Sequence, residues 1–435
     1  MPFLTQTEIR SMFTEPDGID RDRYIVVHYV MKPEPGTDIS TAAAELALVT
    51  SIGTVVPLPF ETEARRRQIL PKIVLNDPSG DREGKVRMML ALPADLYGDG
   101  DSINQILALA LFPAEYRFAL ELRLEAIELP RQILSTLPGP KIGIDGFRRS
   151  LGIRDRVIVG GIIKPRLGLS SAEMCRYGRE ALVGGIDFLV DDELVTDGRG
   201  EMAFESRIGA LVDTAQKAEA TSGEPKRVIA NISSSPRRML ELAEIAERLG
   251  VAGLLVNGYV NGFGSIQDLA VAVGGRLPII TCNIGIALLT RAGQPSGMSG
   301  AVLARLSRLA GADAVHTGAS AADWHGLEGW GRTVLALRSD LHGIHPSIPV
   351  AAGGVNVGNA AANILSMGED LVLEAGGGIF GYPSGPAHAG EAFRVLIDVV
   401  KPHMNASEIP GVLAQAGKRS KALNEGLVFY GMRTS

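Results

Sequence analysis

Eight short apolar runs recur between Arg156 and Gly378, separated by amphipathic stretches of about ten to fifteen residues. They are RVIVGGII (Arg156–Ile163), IDFLV (Ile186–Val190), RVIANI (Arg227–Ile232), GLLV (Gly253–Val256), LPIIT (Leu277–Thr281), AVH (Ala314–His316), IPVAAGG (Ile348–Gly354) and LVLEAGGG (Leu371–Gly378). A strand that is apolar along its whole length has no face for water, so it belongs in a parallel sheet covered by helices on both sides. The first intervening stretch, SSAEMCRYGREALVGG, opens on a Ser170-x-x-Glu173 capping box and closes at Gly184. Eight such units in about 270 residues fit a closed (β/α)8 barrel. An open doubly wound sheet is the competing arrangement, but no GxGxxG follows the first run and there is no Walker sequence.

Residues 1–139 show no regular alternation. RYIVVHYVM (Arg23–Met31) reads as a strand and STAAAELALVTSI (Ser40–Ile52) as a helix, while PKIVLNDP, KVRMMLALP and FALELRLEAIELP add further strands and helices. The chain therefore reads as α/β overall, with an N-terminal α+β domain over 1–139 and a barrel over 140–435. Forty-three basic against 49 acidic side chains leave a net charge of −6 without long runs of one sign, which argues against a nucleic-acid partner. Two cysteines, Cys175 and Cys282, form no disulfide framework and no metal-ligand spacing, so a reducing cytoplasm is expected. The longest apolar run, Ile106–Phe112, falls far short of the ~20 residues that cross a bilayer, and no membrane association is expected.

In a barrel the chemistry sits at the C-terminal strand ends. Reading just past each run gives Lys164-Pro165-Arg166, Asp191-Asp192-Glu193, Asn231, Asn257, Cys282-Asn283, His316-Thr317-Gly318, Gly353-Gly354 and Gly376-Gly377-Gly378. A lysine carried into a barrel mouth is partly desolvated and suited to acid–base work, although the same residue elsewhere is an ordinary surface cation. Three consecutive acids repel one another; a solvated turn or a divalent cation would account for them, and Mg²⁺ at Asp192 and Glu193 is the metal expectation. The paired glycines Gly353, Gly354, Gly376 and Gly377 let backbone N–H groups close on a phosphate. His316 suits either phosphate contact or proton transfer, and equally a structural role.

Beyond these readings, GGIIKPRLGLS (Gly160–Ser170) resembles the lysine-containing strand-one motif of ribulose-1,5-bisphosphate carboxylase/oxygenase, and GGIDFLVDDE (Gly184–Glu193) resembles its strand-two metal motif. VHTG (Val315–Gly318), VAAGG (Val350–Gly354), AGGGIFGYPSGP (Ala375–Pro386) and SIGT (Ser51–Thr54) are similar to its later strand ends and to its amino-terminal domain. The resemblance implies a ferredoxin-like N-terminal domain and a homodimer or larger assembly, with Thr54 of a neighbouring subunit helping to bind phosphate beside Arg166. The departures are pointed. Val190 stands where the family carries the carbamylated lysine that ligates Mg²⁺, and the expected His-Arg pair is replaced around Cys282, Asn283 and Ile284. The segment Ala319–Gly331 contains no lysine, Ala352 replaces a serine, and Val49 and Phe112 stand where a glutamate and an asparagine are expected.

The pattern thus resembles RuBisCO-like (form IV) proteins, which act on phosphorylated sugars and sugar acids without fixing CO2. Val190 weighs against the methylthioribulose-phosphate type of isomerase or enolase. The implied reaction is decarboxylation of a phosphorylated β-keto sugar acid such as 3-oxo-isoapionate 4-phosphate, with transcarboxylation and hydrolysis of the same substrate as the neighbouring alternative. Lys164 would stabilise and protonate the enolate, while His316 and Asn283 would orient hydroxyl groups. Asp323, His325 and Glu328 are further polar residues of the loop after strand six. A non-catalytic phosphosugar-binding regulator is the alternative from a different class.

Overall fold

The computed structural model describes residues 6–54, 56, 58–60, 62–76, 80–97, 102–115, 119–195, 197–282, 284–291, 293–320 and 330–431. It divides into two compact units, one formed by residues 1–137 with 288–306 and the other by 138–287 with 307–435. No helix among the described residues is long and apolar enough to cross a membrane.

The first unit is an α+β sheet. Strand β1 (Tyr24–Pro33) leads to the helix Ile39–Ser51 and the short helix Glu63–Ile69, then to β2 (Lys72–Asn76) and β3 (Val86–Pro93); the helix Ile103–Leu111 precedes β4 (Ala119–Glu128). The strand order β4-β1-β3-β2, with every one of these pairs antiparallel, is that of a ferredoxin-like fold. Asp38 caps the first helix by accepting from the Thr41 N–H, and the helix buries its alanine-rich side through Ala43, Leu46 and Ala47. Under the sheet lie Val26, Val74, Met89 and Ala91.

The second unit is the barrel. Its strands are β5 (Ile158–Ile162), β6 (Phe188–Val190), β7 (Arg227–Asn231), β8 (Gly253–Asn257), β9 (Ile279–Cys282), β11 (Ala314–His316), β12 (Ile348–Ala352) and β13 (Val372–Ala375). They close in the order β11-β12-β13-β5-β6-β7-β8-β9, all pairs parallel. Between β9 and β11 the chain contributes β10 (Gly297–Met298), which pairs with β4 at the edge of the first sheet. Side chains alternating inward from the barrel strands, among them Ile158, Phe188, Val190, Leu255, Ile280 and Val372, form one buried cluster. Gly160 belongs to that interior because Phe188 fills it: a Cβ at Gly160 would lie 2.2 Å from the ring.

Each of the eight apolar runs overlaps one barrel strand, β8 and β9 extending one residue past theirs, and the helix after β5 is capped by the expected box, Ser170 Oγ accepting from the Glu173 N–H and the Glu173 carboxylate accepting from the Ser170 N–H. Most strands are shorter than their runs. IPVAAGG stops pairing at Ala352 because Gly353 and Gly354 turn into the left-handed region, at φ 85° and 77°, and there the backbone leaves the ladder.

Candidate active site

A cavity of about 830 Å³ opens at the C-terminal ends of the barrel strands. Lys164, Arg166, Glu193 and His316 bring charge to its wall, the glycines after β12 and β13 bring bare backbone, and Ile162, Ile284, Ile286, Phe429 and Tyr430 make the remainder apolar.

The three consecutive acids after β6 go to three different places. Asp191 is fully buried beneath the rim, where Oδ2 accepts from Nε and Nη2 of Arg207 at 3.0 and 2.9 Å and Oδ1 accepts from the Asn231 N–H at 2.9 Å. Burial pushes its carboxyl pKa up, against the pull of the Arg207 charge. Asp192 has a left-handed backbone, φ 85°, uncommon for a residue with a side chain. That turn brings its fully buried carboxylate to the Lys164 ammonium, with which Oδ2 forms an ion pair, while Oδ1 accepts from the Leu194 N–H at 2.9 Å. Arg166 adds a second cation, its Nε 3.9 Å from the same Oδ2. Glu193 lines the cavity, and its Oε2 is buried without a hydrogen-bond partner.

The two glycine loops are built around the lysine. A Cβ at Gly376 would lie 2.8 Å from Lys164 Cε, so the lysine stem lies directly over that residue; one at Gly378 would lie 2.2 Å from the Val355 carbonyl oxygen, so the loop after β13 rests on the loop after β12. The Lys164 side chain is about one quarter exposed (26%) and reaches the cavity. Opposite it, His316 at the end of β11 sets Nε2 3.1 Å from Oε1 of Glu374, a β13 residue only 1% exposed. Burial works to lower the histidine's pKa, but the Glu374 carboxylate and then that of Glu193 outweigh it and hold the imidazole above its ordinary value.

Lys164, Arg166, Glu193, His316, Gly353, Gly354, Gly376 and Gly377, all singled out in the sequence, line this one cavity, with Asp192 directly behind Lys164. Asn283, Asp323, His325 and Glu328 lie outside the described residues. Thr54 follows the helix Ile39–Ser51 of the N-terminal unit, where its Oγ1 accepts from the Val56 N–H at 3.0 Å. Sequence reasoning missed Glu374. The signal was there in LVLEAGGG: an acid at an inward position of a strand that is otherwise buried and apolar.

The donor set does not fit a Mg²⁺ centre of the expected kind. Val190, at the position of the carbamylated lysine, is wholly buried in the barrel cluster and offers no ligand atom. Asp192 is committed at both oxygens, one of them to an ammonium that already supplies the positive charge. Among the described residues, no group of three His, Cys, Asp or Glu is placed to hold a metal ion.

Two family models cover nearly the whole chain: "Ribulose bisphosphate carboxylase large chain, catalytic domain" over residues 143–430, and its N-terminal domain over 12–133. Among curated relatives, a ribulose bisphosphate carboxylase of Thermococcus onnurineus is 31% identical over 404 residues, 88% of this chain and 89% of that one. A ribulose bisphosphate carboxylase-like protein of Archaeoglobus fulgidus is 29% identical over 392 residues, 88% of this chain and 89% of that one. Among solved structures, the octameric Rubisco of Pyrococcus horikoshii superposes with a TM-score of 0.84 at 29% identity, covering 97% and 98% of the two chains. The dimeric archaeal Rubisco of Hyperthermus butylicus gives 0.83 at 26% identity, covering 98% and 100%.

Proposed function

This chain belongs to the ribulose bisphosphate carboxylase large-chain family, and on that premise we propose that it does not fix CO2 but breaks a carbon–carbon bond of a phosphorylated β-keto sugar acid by way of an enolate. One observation carries the reading: the Lys164 ammonium, ion-paired to Asp192, lies against the glycine loop that begins at Gly376, while β6 ends on Val190, buried in the barrel core. The family's carboxylation depends on a lysine at that end, and a valine has no amine to carry the carbamate.

In this reading the backbone N–H groups of Gly353, Gly354, Gly376 and Gly377 bind the substrate phosphate, with Arg166 adding charge. The β-keto acid loses CO2 by heterolysis of its carbon–carbon bond, and the electron pair passes to the keto oxygen as an enolate. Lys164 Nζ stabilises that oxyanion as it develops, where desolvation makes the interaction worth more than in water. It then donates its proton to the nucleophilic carbon, and the amine recovers a proton from solvent. Asp192 holds the ammonium in place. His316 and Asn283 orient substrate hydroxyls. The substrate we favour is 3-oxo-isoapionate 4-phosphate. The dimeric and octameric assemblies of the solved relatives support self-association, in which Thr54 of a neighbouring subunit would join the phosphate site.

The test is turnover of that substrate labelled with ¹³C at the carboxyl carbon, followed by ¹³C and ³¹P NMR. Decarboxylation predicts labelled CO2 and a single phosphorylated ketone. Two acid products and no CO2 would replace it with transcarboxylation and hydrolysis. CO2 fixation on ribulose 1,5-bisphosphate would overturn the reading altogether.

A further inference from the structure

We propose that Glu374 is a positioning residue of this site: its carboxylate, set beside His316 in the barrel interior, holds the imidazole in one orientation as a charged donor for a substrate anion. The inference rests on reading the cavity as the substrate site, and not on which reaction takes place there.

The placement follows from strand geometry. Val372 belongs to the inner cluster of the barrel, and the period of two puts Glu374 on the same inward face of β13. Its register partners on either side are Ala352 and Gly160, the latter covered by the Phe188 ring, so the small Ala352 is the flanking position that leaves room for a longer side chain. A carboxylate that is 1% exposed is costly unless it is paired, and an apolar residue would fill such a position at no electrostatic penalty. Among the described residues, the ion-pair partner of Glu374 is His316, with Nε2 3.1 Å from Oε1. His316 in turn lines the cavity beside Thr317, Gly318 and Gly353. The pair therefore links a buried anion in the barrel interior to a ring at the substrate surface.

Among the described residues, the other titratable groups acting on the ring work in the same sense or stay neutral. Glu193, after β6, is the second carboxylate acting on it. On β9, burial keeps the Cys282 thiol protonated. The inward residues of β12, Val350 and Ala352, carry no charge. A protonated imidazole beside Glu374 brings positive charge to the cavity wall that His316 lines, and that charge favours an anion there. With Lys164 and Asp192, the cavity holds two cations, each backed by a buried carboxylate: Asp192 from the adjacent strand end, and Glu374 from two strands away around the barrel.

The experiment uses the full-length protein labelled with ¹⁵N-histidine, its His316 signals assigned by comparison with His316→Gln. In the parent the imidazole should titrate above its ordinary value; in Glu374→Gln, which keeps the shape and removes the charge, the midpoint should fall clearly below the parent's. Inorganic phosphate is the binding probe. Its affinity at pH 7 should drop on the order of tenfold in Glu374→Gln and in His316→Gln, and no further in the double variant. An unchanged His316 midpoint, or losses that add in the double variant, would overturn the proposal. Should Glu374→Gln not fold, Glu374→Asp takes its place, with a midpoint between parent and unfolded values expected and an unchanged one decisive against it. A protein with no activity on any keto acid but with these titrations intact would defeat the proposed reaction while leaving this inference standing.

Discussion

Asp191 and Arg207, sixteen residues apart in the chain, meet with two guanidinium N–H groups on one carboxylate oxygen, and neither side chain is more than 1% exposed. The pair anchors the strand-two end from below and leaves the next two acids to serve the rim. An unpaired charge at this depth has no route to water. Arg207→Met should therefore cost about 3–5 kcal/mol of stability, measured by urea unfolding at pH 7. Asp191→Leu/Arg207→Met, which removes both charges, should recover much of that loss. A single variant within ~1 kcal/mol of the parent would show that the pair does not anchor the rim.

Lys164 faces a different demand, because its partner Asp192 is also buried while the amine itself reaches the cavity. Lys164→Met should lower turnover of the keto acid by roughly 10²- to 10⁴-fold, the range expected when a positioned proton donor is removed, while phosphate binding stays within a few-fold of the parent. Lys164→Arg separates charge from proton transfer: a guanidinium keeps the positive charge but does not give up a proton near neutral pH. It should pair with Asp192 and still fail to protonate the enolate. Turnover by the arginine variant at near-parent rates would remove Lys164 from the proton-transfer role.

How far the sequence reveals this site depends on which forces act locally. The eight barrel strands were legible because a strand buried on both faces must be an apolar run, whatever surrounds it. The glycine loops were legible because backbone can approach a ligand or another loop only where a Cβ is missing, as at Gly376 and Gly378. The fate of the three acids was not. Asp191, Asp192 and Glu193 are chemically near-equivalent in one dimension, and what separates them is Arg207 on a later helix and Lys164 on the preceding strand end. Glu374 was hidden for a related reason, since its meaning lies in His316, on a strand two places away around the barrel. The same holds for Gly297–Met298, whose pairing with Arg123–Leu124 joins segments far apart in the chain and leaves no local mark.

The two cysteines should behave as opposites. Cys282 is 3% exposed at the end of β9, and burial, reinforced by the carboxylates of Glu193 and Glu374, pushes its thiol pKa far above the ordinary range. The thiolate is the reactive form, so Cys282 should be inert to a disulfide reagent such as DTNB at pH 8, whereas the partly exposed Cys175 should react. One thiol per chain is expected in the folded protein and two after denaturation in guanidinium. Rapid labelling of Cys282 in the native state, located by peptide mass, would mean that the cavity floor opens to solvent.

The ion pair between Lys164 and Asp192 also sets what the protein should do with magnesium. A carboxylate already neutralised by an ammonium offers a divalent ion little, and Val190 contributes no third ligand atom. Dialysis against EDTA should therefore leave the turnover of the keto acid unchanged, and millimolar Mg²⁺ should leave Tm where it was, because an ion that does not bind the folded state cannot stabilise it. Lys164→Met supplies the converse. Without the ammonium, Asp192 keeps only the more distant Arg166 guanidinium and, with Glu193, can offer carboxylate oxygens to Mg²⁺, which completes its shell with water. That variant should gain a Mg²⁺-dependent rise in Tm that the parent lacks, and Lys164→Met/Asp192→Asn should lose it again. A parent protein inactivated by chelation and restored by Mg²⁺ would mean that the lysine yields its place to the metal during turnover, and the ammonium would then no longer be the cation that stabilises the enolate.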